Sequence, residues 1–162
     1  MKGIPLSSQG TEVTFNVETE YKNKGIFYTD STGMAMQRRE LNKRPQPFNY
    51  TTKQPVSSNY FPLTSTILFE DVEKEKRVSV YTDRAEGGAV IDEGMIEVMI
   101  NRRMYQDDYK GVNEALNETD ASGKGISFWV KHVVQILDLN AVQDASSHGI
   151  ELLNRHTEMK LN

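Results

Sequence analysis

Residues 95–112 read Met-Ile-Glu-Val-Met-Ile-Asn-Arg-Arg-Met-Tyr-Gln-Asp-Asp-Tyr-Lys-Gly-Val. Ile96, Val98 and Ile100 fall on one side of an extended chain and Met95, Glu97 and Met99 on the other, the period of a buried or half-buried strand. The strand runs into Arg102-Arg103, followed by Asp107-Asp108 and then Gly111, which offers the backbone freedom for a tight return. Two guanidiniums and two carboxylates beside a strand end either brace one another as bidentate pairs or aim at a polar ligand, because arginine presents a rigid donor fork. The residues alone leave both uses open, and bracing is the commoner one. Adjacent strand residues point to opposite faces, so Arg102 and Arg103 are expected to behave differently.

Working outward, Val13, Phe15 and Val17 alternate with Thr14, Asn16 and Glu18 as a strand with one wet face. Gly25 to Thr29 reads as a second strand, and Asp30-Ser31-Thr32-Gly33 supplies turn residues leading to Met34, Met36 and the polar Gln37-Arg38-Arg39, which together read as a hairpin. A helix over residues 34–41 is the competing choice, disfavoured by its β surroundings. Pro45, Pro47 and Pro55 make residues 42–58 a long loop or edge segment, with Phe48 as its anchor to a core. Phe61, Leu63, Ser65, Ile67 and Phe69 share one parity as a single strand, residues 70–76 form a charged turn, and residues 77–81 return antiparallel. Gly87-Gly88 reads as a plain loop at a sheet edge, or as a place where main-chain amides approach a ligand.

Residues 126–137 carry aliphatic or aromatic side chains on both parities, among them Ile126, Phe128, Trp129, Val134 and Ile136, so both faces of a long strand are expected to be buried. His132 within it reads as a hydrogen-bonded core residue rather than a ligand. Asn140 caps a short helix with Val142, Ala145, Gly149 and Leu152 or Leu153 as its apolar stripe. His148 and His156 stand two helical turns apart with no companion carboxylate motif, which is not the spacing of a zinc pair.

The order Asn59-Tyr60-Phe61-Pro62, then Thr82-Asp83-Arg84 with Gly87-Gly88, then Glu97, Met99, Arg102-Arg103, Asp107-Asp108 and Gly111, then Leu116-Asn117-Glu118-Thr119, resembles the C-terminal β-rich region of family 38 glycoside hydrolases. The lysosomal-type α-mannosidases are the most similar in this respect, and the resemblance covers nearly the whole chain. It implies a mainly β fold, an antiparallel β-sandwich forming part of a mutarotase-like supersandwich, with one or two short helices. It further implies one sandwich domain over residues 1–162, a piece of a larger retaining α-mannosidase acting on mannose-containing glycans. In that family the nucleophile, the acid/base residue and the zinc lie in an N-terminal catalytic α/β domain, so this fragment is expected to hold no cofactor and to be inactive alone. The resemblance assigns an arginine from the pair Arg102 and Arg103 to the edge of the sugar site. Tyr60 becomes a candidate aromatic wall, and Asp107, Asp108 and Gly111 support the arginines or their loop. A lysosomal or secretory location would follow.

Composition sets wider bounds. The 162 residues carry 19 basic and 23 acidic side chains, a formal charge of −4, mixed in sign along the chain, so a nucleic-acid partner is not expected. No stretch of about 18 apolar residues is present, which argues against a membrane span. Cysteine is absent, excluding disulfides and thiolate metal sites. Asn49-Tyr50-Thr51 and Asn117-Glu118-Thr119 are possible glycosylation sites if the chain enters the secretory path. Adjacent Asp107 and Asp108 would point apart in an extended segment and make a poor hydrolytic pair. A free-standing carbohydrate-binding or adhesion β-sandwich is the alternative reading, and a purely structural interface module a third.

Overall fold

The computed structural model describes residues 3–5, 7, 9–30, 33–48 and 50–141. Among the described residues nine strands follow in order: β1 Thr11–Glu18, β2 Ile26–Thr29, β3 Gln37–Glu40, β4 Phe61–Leu63, β5 Thr66–Asp71, β6 Lys76–Thr82, β7 Glu86–Ala89, β8 Met95–Arg103 and β9 His132–Asp138. They form two antiparallel sheets of a β-sandwich, one of four strands in the order β1-β8-β7-β4 and one of five in the order β3-β2-β5-β6-β9. Single-turn 3-10 helices occur at Ser57–Asn59 and Leu139–Ala141. The apolar stripe expected from Val142 onward, with His148 and His156, lies outside the described residues. The chain divides into two compact units, Met1–Phe15 with Met99–Val130, and Asn16–Val98 with Lys131–Asn162.

Within the second unit the core follows from the strand period. Ile67 faces Val80 and Phe69 faces Val78 across the β5–β6 ladder, so these four share one face. All four are fully buried, as are Phe27 of β2 and Ile96 and Val98 of β8. Phe27 and Phe61 meet edge to face at 5.7 Å, bringing β2 of one sheet against β4 of the other. Gly88 shows how close the layers lie, since a Cβ there would stand 2.5 Å from Leu63 Cδ2 and 3.0 Å from Ile67 Cδ1. The glycine pair is therefore neither an edge loop nor a ligand cradle. It sits inside β7, paired with Pro62 and Phe61, and at Gly88 a side chain would wedge the sheets apart, whereas a Cβ at Gly87 would make only an ordinary contact with Tyr60.

The run from Phe61 to Phe69 is not one strand. It breaks after Leu63, and the chain crosses from the four-stranded to the five-stranded sheet. Asp30 makes the crossing possible. Its buried carboxylate accepts from the backbone N–H of Thr64 at 2.9 Å, Ser65 at 3.0 Å and Thr66 at 3.0 Å, and from the Ser65 hydroxyl at 2.5 Å. A shared parity persists through such a break, so alternation alone does not reveal it.

The β2–β3 hairpin pairs as the turn residues imply, with Ile26 opposite Glu40 and Thr29 opposite Gln37. The Pro-rich segment is a loop, but Phe48 does not anchor it, being 70% exposed. Asn59 holds it instead: fully buried, it accepts from Asn42 N at 2.8 Å and donates to Pro55 O at 2.7 Å. The long strand expected over residues 126–137 is shorter and more exposed. Only His132–Asp138 is strand, Trp129 is 87% exposed, and Val134 and Ile136 are close to half exposed. Apolar residues on both parities there do not mark two buried faces, because β9 stands at a sheet edge.

Candidate functional site

β8 ends at Arg103, and the two arginines part company there. Arg103 is only 9% exposed. Its Nη1 donates to Ile4 O at 2.8 Å and its Nη2 to Asn117 O at 3.2 Å, while Nε is buried without a partner in the described structure. The guanidinium thus ties the segment before β1 to the loop after β8 through backbone carbonyls. Gly125 leaves room for it, since a Cβ at that position would lie 2.4 Å from Ile4 O and 3.0 Å from Arg103 Nη1. Arg102 is exposed. It lines a depression of about 400 Å³ together with Asp107, Asp108 and Gly111, and a smaller one of about 200 Å³ with Asn101, Glu118 and Phe128.

The two aspartates lie beside Arg102 without pairing with it. Asp107 Oδ2 accepts from Tyr109 N at 2.6 Å and Asp108 Oδ1 from Lys110 N at 2.9 Å, so each carboxylate folds back on its own loop as an Asx turn. Of the two supports expected, the loop is the one these contacts serve. Gly111 does not carry the return: it has no positive φ, and a Cβ there would meet nothing within 4 Å. Tyr109 at φ 59° and Asn113 at φ 66° take the left-handed conformations. Asparagine tolerates this region through local hydrogen bonding, whereas a tyrosine there gives no warning in the sequence.

Tyr60 belongs to the other compact unit. It is half-buried, with its hydroxyl hydrogen-bonded to Glu97 Oε1. Its neighbour Phe61 carries the Arg39 guanidinium at 4.5 Å and that of Arg44 at 4.8 Å from the ring centre, and Arg44 also stacks on Tyr50 at 4.5 Å. Burial first, and then the charge of Arg44, lowers the Arg39 pKa. This cation–aromatic stack fixes the strand that positions Tyr60. Residue order gives no sign of it, because Phe61 stands well beyond Arg39 and Arg44 in the chain.

The motifs quoted above thus occupy a consistent set of places: Asn59 fixes a loop, Tyr60 meets Glu97, Gly88 lets the layers close, and Arg102-Arg103 ends β8. Residues 5–110 match the model of the glycosyl hydrolases family 38 C-terminal domain. The chain belongs to that family. It is 34% identical over 148 residues to the lysosomal alpha-mannosidase of Homo sapiens and 33% identical over 148 residues to that of Cavia porcellus, in each case over 91% of this chain and 14% of the relative. An alpha-mannosidase of Arabidopsis thaliana is 40% identical over 132 residues, 77% of this chain and 12% of that protein. The chain spans about 14% of the length of these mammalian relatives.

Family 38 chemistry raises the question of a metal. Among the described residues no group of three or more His, Cys, Asp or Glu converges on a point that could hold one, so those residues do not fit a zinc site. His132 is engaged with Glu86, Nε2 to Oε2 at 2.8 Å, both side chains more than nine-tenths buried. That is the hydrogen-bonded core histidine its place in the strand implies. No described helix is long and apolar enough to cross a membrane. Of the two possible glycan acceptors, Asn117 is exposed with its carbonyl held by Arg103, and Asn49 lies outside the described residues.

Proposed function

We propose that this chain is a non-catalytic β domain of a retaining family 38 α-mannosidase. It packs on a zinc-dependent catalytic α/β domain of the same protein and completes the mannoside site in lysosomal or secretory glycan breakdown. Arg102 is the residue offered to the sugar side and Arg103 the strut beneath it. Asp107 and Asp108 shape the loop that flanks Arg102, and Tyr60, braced by Glu97, supplies an aromatic wall. The single observation carrying this reading is the split between the arginines: one guanidinium is spent on two backbone carbonyls and the other is exposed above a polar depression. A charge-assisted fork in that position can fix a sugar hydroxyl or orient a carboxylate of the catalytic domain. The lysosomal names of the relatives support the compartment.

The test is kinetic and needs the longer enzyme. Arg102→Ala should lower kcat/KM by roughly 2–3 kcal/mol of transition-state stabilisation with little change in Tm. Arg103→Ala should lower Tm, with turnover per folded molecule nearly unchanged. Normal kinetics in both variants would remove the pair from the sugar site. Mannose binding by the 162-residue chain alone would then favour a free-standing carbohydrate-binding sandwich.

A further inference from the structure

Three residues meet on the outer face of the four-stranded sheet. Successive strand residues point to opposite faces. A side chain at Gly88 would run into Leu63 and Ile67 in the core, so the side-chain position of Gly87 lies on the outer side of β7. Glu97 stands between Ile96 and Val98, both 0% exposed, and so takes the outer side of β8, the neighbour of β7. Tyr60, immediately before β4, reaches both strands. Its Cδ1 lies 3.5 Å from where a Cβ at Gly87 would stand, and its hydroxyl is hydrogen-bonded to Glu97 Oε1.

These contacts hold the phenol at two separate points. Its aim is set by two side-chain torsions. Bare backbone beside the ring and a carboxylate at the hydroxyl constrain both, and a hydrogen bond to a carboxylate is stronger than one between neutral groups. Both supports belong to the sheet: Gly87 is in register with Pro62 of β4, and Glu97 lies inside β8. Side chains held from strands are placed more exactly than those held from loops.

We propose that Glu97 and Gly87 are positioning residues for the mannoside site, Glu97 by fixing the Tyr60 hydroxyl and Gly87 by leaving the ring a seat without a side chain. This rests on the reading of Tyr60 as an aromatic wall of that site. A ring that had to be ordered as the sugar binds would cost rotamer freedom at that moment. Held by Glu97 and Gly87, it is in place beforehand, and a small misplacement of such a group is expensive in rate. Glu97 acts through Tyr60 and does not itself touch the sugar, so the two residues behave as one unit.

Kinetics of the longer enzyme on an aryl α-mannoside, read beside Tm, test it. Glu97→Ala and Tyr60→Phe break the same bond. Each should lower kcat/KM about tenfold or more, and the double variant should be no worse than either alone. Glu97→Gln keeps an acceptor and should recover most of the rate. Gly87→Ala adds only an ordinary contact and should stay near wild type, whereas the bulkier Gly87→Val should fall as far as Glu97→Ala. A lower Tm with unchanged turnover per folded molecule in Glu97→Ala would overturn the proposal, as would losses that add in the double variant. Tyr60→Ala separates this inference from the reading beneath it. If that variant is normal while Arg102→Ala is impaired, the positioning role fails and the domain's part in the site stands. If both are normal, the reading of the domain fails as well. Where Tyr60→Ala does not fold, Tyr60→Phe serves in its place.

Discussion

Residues 61–98 and residues 104–130 are ordered by opposite means. In the first stretch apolar side chains on one strand face meet those of another, and the polar groups at a break are collected by a single buried carboxylate, that of Asp30. In the second no strand of any length forms. Its backbone is held by aspartates acting locally: Asp107 on Tyr109, Asp108 on Lys110, and Asp120 on Ser122 and Lys124. A buried anchor beside it is the Arg103 guanidinium, which grips carbonyls before β1 and after β8. Hydrophobic burial makes a rigid frame because many contacts must fail together. A loop built from Asx turns gives up its bonds one at a time.

The contrast predicts a ranking. Phe69→Ala should be the most damaging, because the ring is fully buried and such a deletion costs about 3–5 kcal/mol through lost transfer energy and a cavity. Denaturant unfolding would measure it, and a near-neutral result would mean that the layers close over the gap. Asp30→Ala comes next. It removes the acceptor of the Thr64, Ser65 and Thr66 amides at the sheet crossing, of which Thr66 is buried, with an expected loss of about 1–3 kcal/mol for a buried donor left unsatisfied, read as a lower Tm and as faster exchange of those amides. Unchanged exchange there would show that the crossing does not depend on the carboxylate.

The smallest effect belongs to the loop and appears as a pH dependence. The Ser122 side chain, and then the Lys124 and Ser122 amides, hold the Asp120 pKa below the usual carboxylate value. A depressed carboxylate pKa means that the stabilisation is present above the unfolded pKa and is lost as pH falls through the folded one. Protection of the Ser122 and Lys124 amides should therefore fade on acidification below the ordinary carboxylate range, while Val78 and Val80 stay protected. Simultaneous loss at both places would erase the distinction between frame and loop.

How much of this was legible depended on whether the signal was periodic. Ile96, Val98, Val78 and Val80 announce their buried face because strand side chains alternate. The β2–β3 hairpin follows from its turn residues, and the core role of His132 from its place among aliphatic neighbours. The family was legible in the order of its short motifs. The misreadings came where one pattern serves two structures. Gly88 looks like a loop glycine yet is excluded from having a side chain by Leu63 and Ile67 across the sandwich. Phe48 looks like an anchor yet is exposed, because Asn59 already satisfies the loop's backbone. The apolar run at residues 126–136 looks doubly buried, yet its strand begins only at His132 and borders the sheet.

For the candidate site the division falls between two adjacent letters. The sequence determined that Arg102 and Arg103 end a strand and point to opposite sides, that paired aspartates follow, and that this arrangement belongs to family 38. It did not determine which arginine would be buried. Only the tertiary structure decided that, by bringing Ile4 O, Asn117 O and the side-chain-free Gly125 around one guanidinium. These partners come from points far apart in the chain, and backbone carbonyls carry no residue identity. An arginine's acceptors are therefore invisible in the sequence whenever they are main-chain atoms brought close by the fold.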